Sequence, residues 1–139
     1  MKKIILLSAF ILVCIYTSHA QNYIGTWKFV KVVVRKDLPK DSPGFDLANS
    51  MADLFNRSLK GQIIKLNKDY TCEVTFKDMS GKSKKAVGKY SVDNEISVIK
   101  FEGEEIPLES HLQIKLSGKK QMTFQSVSQG SFVYELSRK

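Results

Sequence analysis

The sequence predicts an all-β protein, an eight-stranded antiparallel up-and-down β-barrel with one helix between its first two strands. Residues 62–138 contain short runs in which apolar and polar side chains alternate, separated by Gly, Asn, Asp and Ser turn signals. Every predicted connection after residue 61 is short, so neighbouring strands are expected to pair antiparallel in chain order. Eight such strands can remove both sheet edges by closing into a barrel. A β-sandwich is the alternative, but it usually needs long crossover loops.

Residues 1–20 resemble a secretory signal peptide in their build. Two lysines precede an almost wholly apolar run at 4–16, and small residues stand one and three positions before the predicted cleavage site, which follows Ala20. The run is too short for a comfortable transmembrane helix. Lipidation at Cys14 and an uncleaved anchor are alternatives. We therefore expect residues 21–139 to form one domain that is exported, either to the periplasm or out of the cell.

The basic residues are spread along the chain. Lysine and arginine together number 22 against 14 acidic residues, which gives a formal net charge of +8. The densest spots, 82–85 and 119–120, fall where turns are expected, so they are interpreted as a solvated surface with protected strand edges. Attraction to an anionic membrane surface, a polysaccharide or an envelope protein is the alternative. No nucleic-acid partner is expected, because no base-stacking motif is present, and a monomer is predicted.

The first predicted strand, residues 23–35, contains the only tryptophan of the chain. Trp27 and Phe29 share a face by the period of two, and the same period would place Lys31 beside them. A bulge near Val30 would instead put Val32 and Val34 inside. An inward Lys31 would be a counter-ion for an acidic ligand, whereas an outward one would have no such role.

The predicted helix covers about residues 43–60. Ser42 suits the N-cap, Pro43 suits the first helical position and Gly61 suits the end of the helix. Apolar residues recur at steps of three and four, which indicates one buried face. They are Phe45, Ala48, Ala52, Phe55 and Leu59. Such a helix would lie across one end of the barrel as a plug or lid.

Seven further strands are predicted after the helix. They cover residues 62–67, 70–77, 84–92, 95–101, 107–116, 120–127 and 131–138. Asp93-Asn94 is interpreted as a two-residue hairpin turn. Cys72 is the only cysteine outside the predicted signal peptide. It lies in an alternating run and is expected to be a buried small hydrophobe that forms no internal disulfide.

Two terminal motifs resemble those of lipocalin-like proteins of the calycin superfamily. They are Gly25-Thr26-Trp27-Lys28 and Tyr134-Glu135-Leu136-Ser137-Arg138, with an early helix and a series of short hairpins between them. The resemblance spans residues 21–139 and is closest to small exported bacterial lipocalin-like proteins; fatty-acid-binding proteins are more distant. It implies that Trp27 lies at the closed end of the barrel with Arg138 across its indole. The disulfide of classical lipocalins and the internal arginine cluster of fatty-acid-binding proteins are absent here.

No arrangement of residues predicts catalysis, a metal site or a cofactor. His111, the only histidine outside the predicted signal peptide, is interpreted as an exposed strand residue. It has no His or Cys partner at metal-ligand spacing, and the chain has no nucleophile-elbow sequence. The acidic loop at 102–105 is interpreted as solvated, where nothing would raise a carboxyl pKa. An enzyme would need His111 to face a pocket beside a carboxylate.

The favoured function is an exported binding protein that sequesters or carries a hydrophobic, lipid-like ligand in the barrel lumen. The alternative is a barrel filled by its own side chains that binds an envelope protein or acts as an inhibitor. A cavity below about 300 Å³ would favour the alternative. The residues predicted to line the ligand site are Phe29, Lys31, Leu66, Tyr70, Val74, Phe76, Tyr90, Val98, Leu112, Met122, Phe124 and Tyr134.

Overall fold

A computed structural model describes residues 23–127 and 131–139; the predicted signal peptide lies outside them. Within the described residues, eight strands form a closed barrel in which each strand pairs antiparallel with the next and β8 pairs with β1. The predicted fold is therefore confirmed. The elements are β1 (Gly25–Val34), α1 (Pro43–Ser58), β2 (Ile63–Leu66), β3 (Thr71–Lys77), β4 (Ser83–Asp93), β5 (Val98–Glu102), β6 (His111–Ser117), β7 (Gln121–Ser126) and β8 (Phe132–Arg138).

A bulge at Val30 sets which side chains of β1 enter the barrel. Phe29 pairs with Leu136 of β8, but the next pair is Lys31 with Glu135, so one residue of β1 is extra. An extra residue exchanges the two faces of a strand. Val32 is therefore buried, whereas the Lys31 Nζ lies 3.7 Å from the Glu135 carboxylate on the exposed outer surface. The prediction that Lys31 lines the lumen is wrong for this reason.

The turn before β5 is longer than the predicted hairpin. Asp93 pairs with Val98, so residues 94–97 form the connection. The Asp93 carboxylate accepts a hydrogen bond from the backbone N–H of Glu95 at 3.0 Å, and Ser97 has a positive φ of 53°. Asp93-Asn94 is thus the start of a four-residue turn, and the prediction of a two-residue hairpin is wrong.

The helix completes the hydrogen bonding of β1. Strand β2 pairs with β1 only over the first four residues of β1, from Gly25 to Lys28. Beyond that point, the Phe29 N–H donates to the Gln62 carbonyl at 3.0 Å. The Asn56 side chain of α1 accepts from the Val32 N–H at 2.7 Å and donates to the Val32 carbonyl at 3.1 Å. Helix α1 is therefore fixed along the strand edge that β2 leaves uncovered.

The opposite end of the barrel is closed around Trp27. The Trp27 side chain is completely buried, and its indole Nε1 donates to the Tyr23 carbonyl at 2.9 Å. The guanidinium of Arg138 lies 4.6 Å from the centre of the Trp27 rings and donates to the Ile24 carbonyl at 3.1 Å. A cation over an indole face contributes about 0.5–2 kcal/mol. These contacts join the first strand to the last.

Between Trp27 and the helix, the barrel is filled largely by its own side chains. Cys72 belongs to this core and has no exposed surface. Burial raises the pKa of the Cys72 thiol, because the thiolate would lose its hydration. The other buried members of the core are Trp27, Ile64, Leu66, Val74, Tyr90, Ile99, Phe101, Leu112, Ile114, Met122, Phe124 and Leu136.

Cys72 is expected to be unreactive in the folded protein. In a Cys14→Ser background at pH 8, a disulfide reagent should modify Cys72 only as fast as the protein unfolds, because the thiolate is the reactive form. A raised folded-state pKa also means that the contribution of Cys72 to stability declines as pH rises above about 8.5, the ordinary thiol value. The control is Lys31→Cys, whose thiol should react at once. Equal rates for the two thiols under native conditions would contradict the prediction.

Candidate ligand-binding pocket

A pocket of about 160 Å³ lies at the helix-covered end of the barrel, opposite Trp27. Its walls come from α1 and the residue that follows it, five strands, residue 62 and the segment 107–109 that precedes β6. Most of the lining is aliphatic or aromatic. The lining residues are Phe29, Phe55, Leu59, Gln62, Ile64, Pro107, Leu108, Glu109, Leu112, Phe124, Tyr134 and Leu136.

Four of the predicted ligand-binding residues line this pocket. Phe29, Leu112 and Phe124 are buried in its wall, and Tyr134 is half-buried beside them. Another group faces inward but packs in the filled part of the barrel, away from the pocket. Its members are Leu66, Val74, Phe76, Tyr90 and Met122.

Three predicted ligand-binding residues lie outside the lumen. Lys31 is turned outward by the bulge in β1. Tyr70 is 57% exposed in the turn before β3, with a positive φ of 63°, so the alternation of β3 does not extend to it. In β5 it is Ile99 and Phe101 that are buried, so Val98 lies on the opposite face. The predictions for Tyr70 and Val98 are therefore also wrong.

The remaining lining residues were not predicted. Phe55 and Leu59 belong to the apolar face of the predicted helix. The sequence indicates that this face is buried, but it does not indicate which part of the barrel the face packs against. Pro107, Leu108 and Glu109 lie in the segment that the sequence predicts as the start of a strand, but β6 begins only at His111. Nothing in the sequence indicates that Gln62 is buried in a pocket wall, because a glutamine beside a helix end is ordinarily solvated. Ile64 and Leu136 are the other two.

Gln62 is a buried polar residue in this apolar wall. Only 3% of its surface is exposed. Its backbone is satisfied, since its N–H donates to the Leu59 carbonyl at 3.0 Å and its carbonyl accepts from Phe29. Its side-chain Nε2, however, has no hydrogen-bond partner among the described residues. A buried donor without a partner costs about 1–3 kcal/mol, so the protein bears this cost in the absence of a ligand.

A carboxylate lies at the rim of the pocket. Glu109 accepts a hydrogen bond from the Ser126 hydroxyl at 2.6 Å, which holds the carboxylate at the end of β7. The pKa of the nearby Tyr134 hydroxyl is raised, first by burial and then by the negative charge of Glu109. Among the described residues that line the pocket, Glu109 is the only one with a formal charge, so the pocket is apolar with one acidic edge.

His111 lies next to the pocket but on the other face of β6. It is exposed, and its Nδ1 is 3.0 Å from the Ser110 hydroxyl. In residues 23–127 and 131–139, no group of three or more His, Cys, Asp or Glu is placed to hold a metal ion. In the same residues, no helix has the length and apolar character needed to cross a membrane.

Two solved structures share the barrel fold. A DUF4847 family protein from Bacteroides vulgatus ATCC 8482 is 11% identical, with a TM-score of 0.55 over 86% of this chain and 97% of its own. An uncharacterized protein from Bacteroides eggerthii DSM 20697 is 8% identical, with a TM-score of 0.50 over 84% and 99% of the two chains. At such low identity the likeness shows the fold alone. No protein-family model and no curated protein matches the chain.

Proposed function

We propose that this protein is an exported, lipocalin-like binding protein that holds one small apolar molecule at the helix-covered end of its barrel. The pocket between α1 and the barrel wall is the observation that carries the proposal. Pockets of this kind bind through apolar burial, while a few polar groups fix the orientation of the ligand. Gln62, Tyr134 and Glu109 are the polar groups available here. The stacking of Arg138 on Trp27 supports the calycin relationship, and residues 1–20 support export.

The size of the pocket restricts the ligand. An apolar cavity of about 150 Å³ stays dry and accommodates a benzene-sized molecule. The pocket of about 160 Å³ therefore suits a single ring or a short branched chain. A long-chain lipid would need the space that Leu66, Tyr90 and Met122 occupy. We propose a ligand of about six to ten non-hydrogen atoms, smaller than the lipid-like molecule expected from the sequence.

A filled barrel that binds another envelope protein is the second candidate. It is favoured by the packed core and by a pocket volume below the 300 Å³ or so at which ligand sites usually begin. This candidate leaves the unpartnered amide of Gln62 without a role, which is why the small-ligand function is preferred.

Titration with toluene and with palmitate tests the proposed function. Toluene is expected to shift the NMR signals of Phe29, Leu112 and Phe124 with a dissociation constant on the order of 0.1–1 mM, whereas palmitate should leave them unchanged. Leu108→Trp should abolish toluene binding by filling the pocket. Val87→Trp, on the exposed face of β4, is the matched control and should bind normally. Binding of palmitate alone, or of neither probe, would be evidence against a small-ligand pocket.

A further inference from the structure

We infer that the pocket selects neutral molecules that carry a hydrogen-bond acceptor, such as a small ketone, aldehyde or ester, over hydrocarbons and carboxylates of the same shape. The inference rests on the proposed small-ligand function and names the chemical class of the ligand. It is carried by two side chains of the lining, the amide of Gln62 and the carboxylate of Glu109.

The Gln62 amide favours a ligand acceptor. Gln62 is 97% buried in an otherwise apolar wall and has an N–H group without a partner in the described part of the chain. A carbonyl oxygen on the ligand supplies that partner, whereas a hydrocarbon leaves the donor unsatisfied. Sites with a buried hydrogen-bonding group discriminate strongly against analogues that lack the matching group. The acceptor is therefore a requirement for tight binding, in addition to the apolar body of the ligand.

The Glu109 carboxylate disfavours an anionic ligand. It is the single formal charge among the twelve lining residues, and Ser126 holds it in place through a hydrogen bond of 2.6 Å. Within residues 23–127 and 131–139, no lysine or arginine contributes to the lining, so these residues offer a bound carboxylate no cationic partner. Lys31, which could have supplied one, points to the outer surface. An anion in this small apolar space would lose hydration and meet a like charge.

Three probes of nearly the same shape separate these contributions. Acetophenone carries a carbonyl, α-methylstyrene replaces that carbonyl by a methylene group, and benzoate carries a negative charge. On the native protein, NMR titration at pH 7 should give dissociation constants at least tenfold lower for acetophenone than for α-methylstyrene. Benzoate should be the weakest of the three.

Variants of Gln62 and Glu109 show which of these two side chains is responsible for the selectivity. Gln62→Leu should remove the preference for acetophenone and bind α-methylstyrene as well as or better than the native protein. Gln62→Met is a second variant of similar length, so that poor folding of one does not end the test. Glu109→Gln should strengthen the binding of benzoate several-fold relative to that of α-methylstyrene. Thermal unfolding of each variant verifies that it is folded.

The outcomes distinguish a failure of the proposed small-ligand function from a failure of the inferred selectivity for neutral acceptors. If none of the three probes binds, the small-ligand function fails and this inference fails with it. If α-methylstyrene or benzoate binds the native protein as tightly as acetophenone, the inference is overturned while the small-ligand function stands. If Gln62→Leu and Gln62→Met both keep the tenfold preference, the selectivity does not come from Gln62 and the inference is overturned.

Discussion

Replacement of Trp27 by alanine is expected to lower the free energy of unfolding by about 3–5 kcal/mol. The indole is completely buried at the closed end of the barrel and packs in the main core. Its removal leaves a cavity that the paired strands around it cannot easily close. It also removes the hydrogen bond to the Tyr23 carbonyl and the surface on which Arg138 lies. A loss of this size is a large fraction of the stability of a small domain.

Equilibrium denaturation with urea measures this effect, with Arg138→Met as the comparison. That variant keeps much of the aliphatic stem but removes the cation, so it should cost only about 0.5–2 kcal/mol. The double variant should lose less than the sum of the two single losses, because the pair is in contact. A loss below about 1.5 kcal/mol for Trp27→Ala would show that the barrel closes without the tryptophan.

Replacement of Gly88 by alanine is expected to cost about 3 kcal/mol, at the upper end of the usual range for overpacking. A Cβ at this position would lie 2.4 Å from the backbone carbonyl oxygen of Glu102 and 2.4 Å from the Cδ1 of Ile106. The Ile106 side chain can turn aside, but the Glu102 carbonyl belongs to β5 and cannot move without shifting that strand. Gly88 therefore permits the segment after β5 to pass close to the inner face of β4.

Gly44→Ala provides the matched control for Gly88→Ala. A Cβ on Gly44 would meet no atom within 4 Å, and the residue lies in the first turn of α1. The same chemical change should there raise stability by about 0.4–1 kcal/mol through the entropy of the unfolded chain. Thermal unfolding of the two variants should give shifts of opposite sign. Equal shifts in melting temperature would show that the close approach of Glu102 and Ile106 to Gly88 is not what disfavours a side chain at this position.

The architecture could be predicted because it depends on patterns that extend over many residues. Alternation in β3, β6 and β7 identifies the inward face without knowledge of the neighbours. Apolar spacing and Gly61 define the helix in the same way. The inward face of β1 could not be decided, because it depends on one bulge. The sequence around Val30 is compatible with either face of β1 turning inward, and the pairing register with β8 selects one of the two faces.

The pocket was predicted less well because its lining depends on where elements end. Gln62 and Glu109 both lie just outside a strand, where no periodicity applies. Their roles follow from the position of α1 and from the contact between Glu109 and Ser126, which are seventeen residues apart. Phe29, Leu112, Phe124 and Tyr134 were predicted because each lies inside a strand. The sequence also did not show how far core side chains would fill the lumen.

The attachment of α1 to β1 through Asn56 has a kinetic consequence for access to the pocket. Swinging the helix away would leave the Val32 N–H and carbonyl without partners and expose an unpaired strand edge to other chains. Segment 107–109 lies outside the strands, and moving it would break the hydrogen bond between Ser126 and Glu109 and the packing of Leu108 against the core. Entry past this segment requires loop motion on the nanosecond-to-microsecond timescale instead of the slower displacement of a helix. For the proposed ligand we therefore expect rapid exchange while the amide protons of α1 remain protected from solvent.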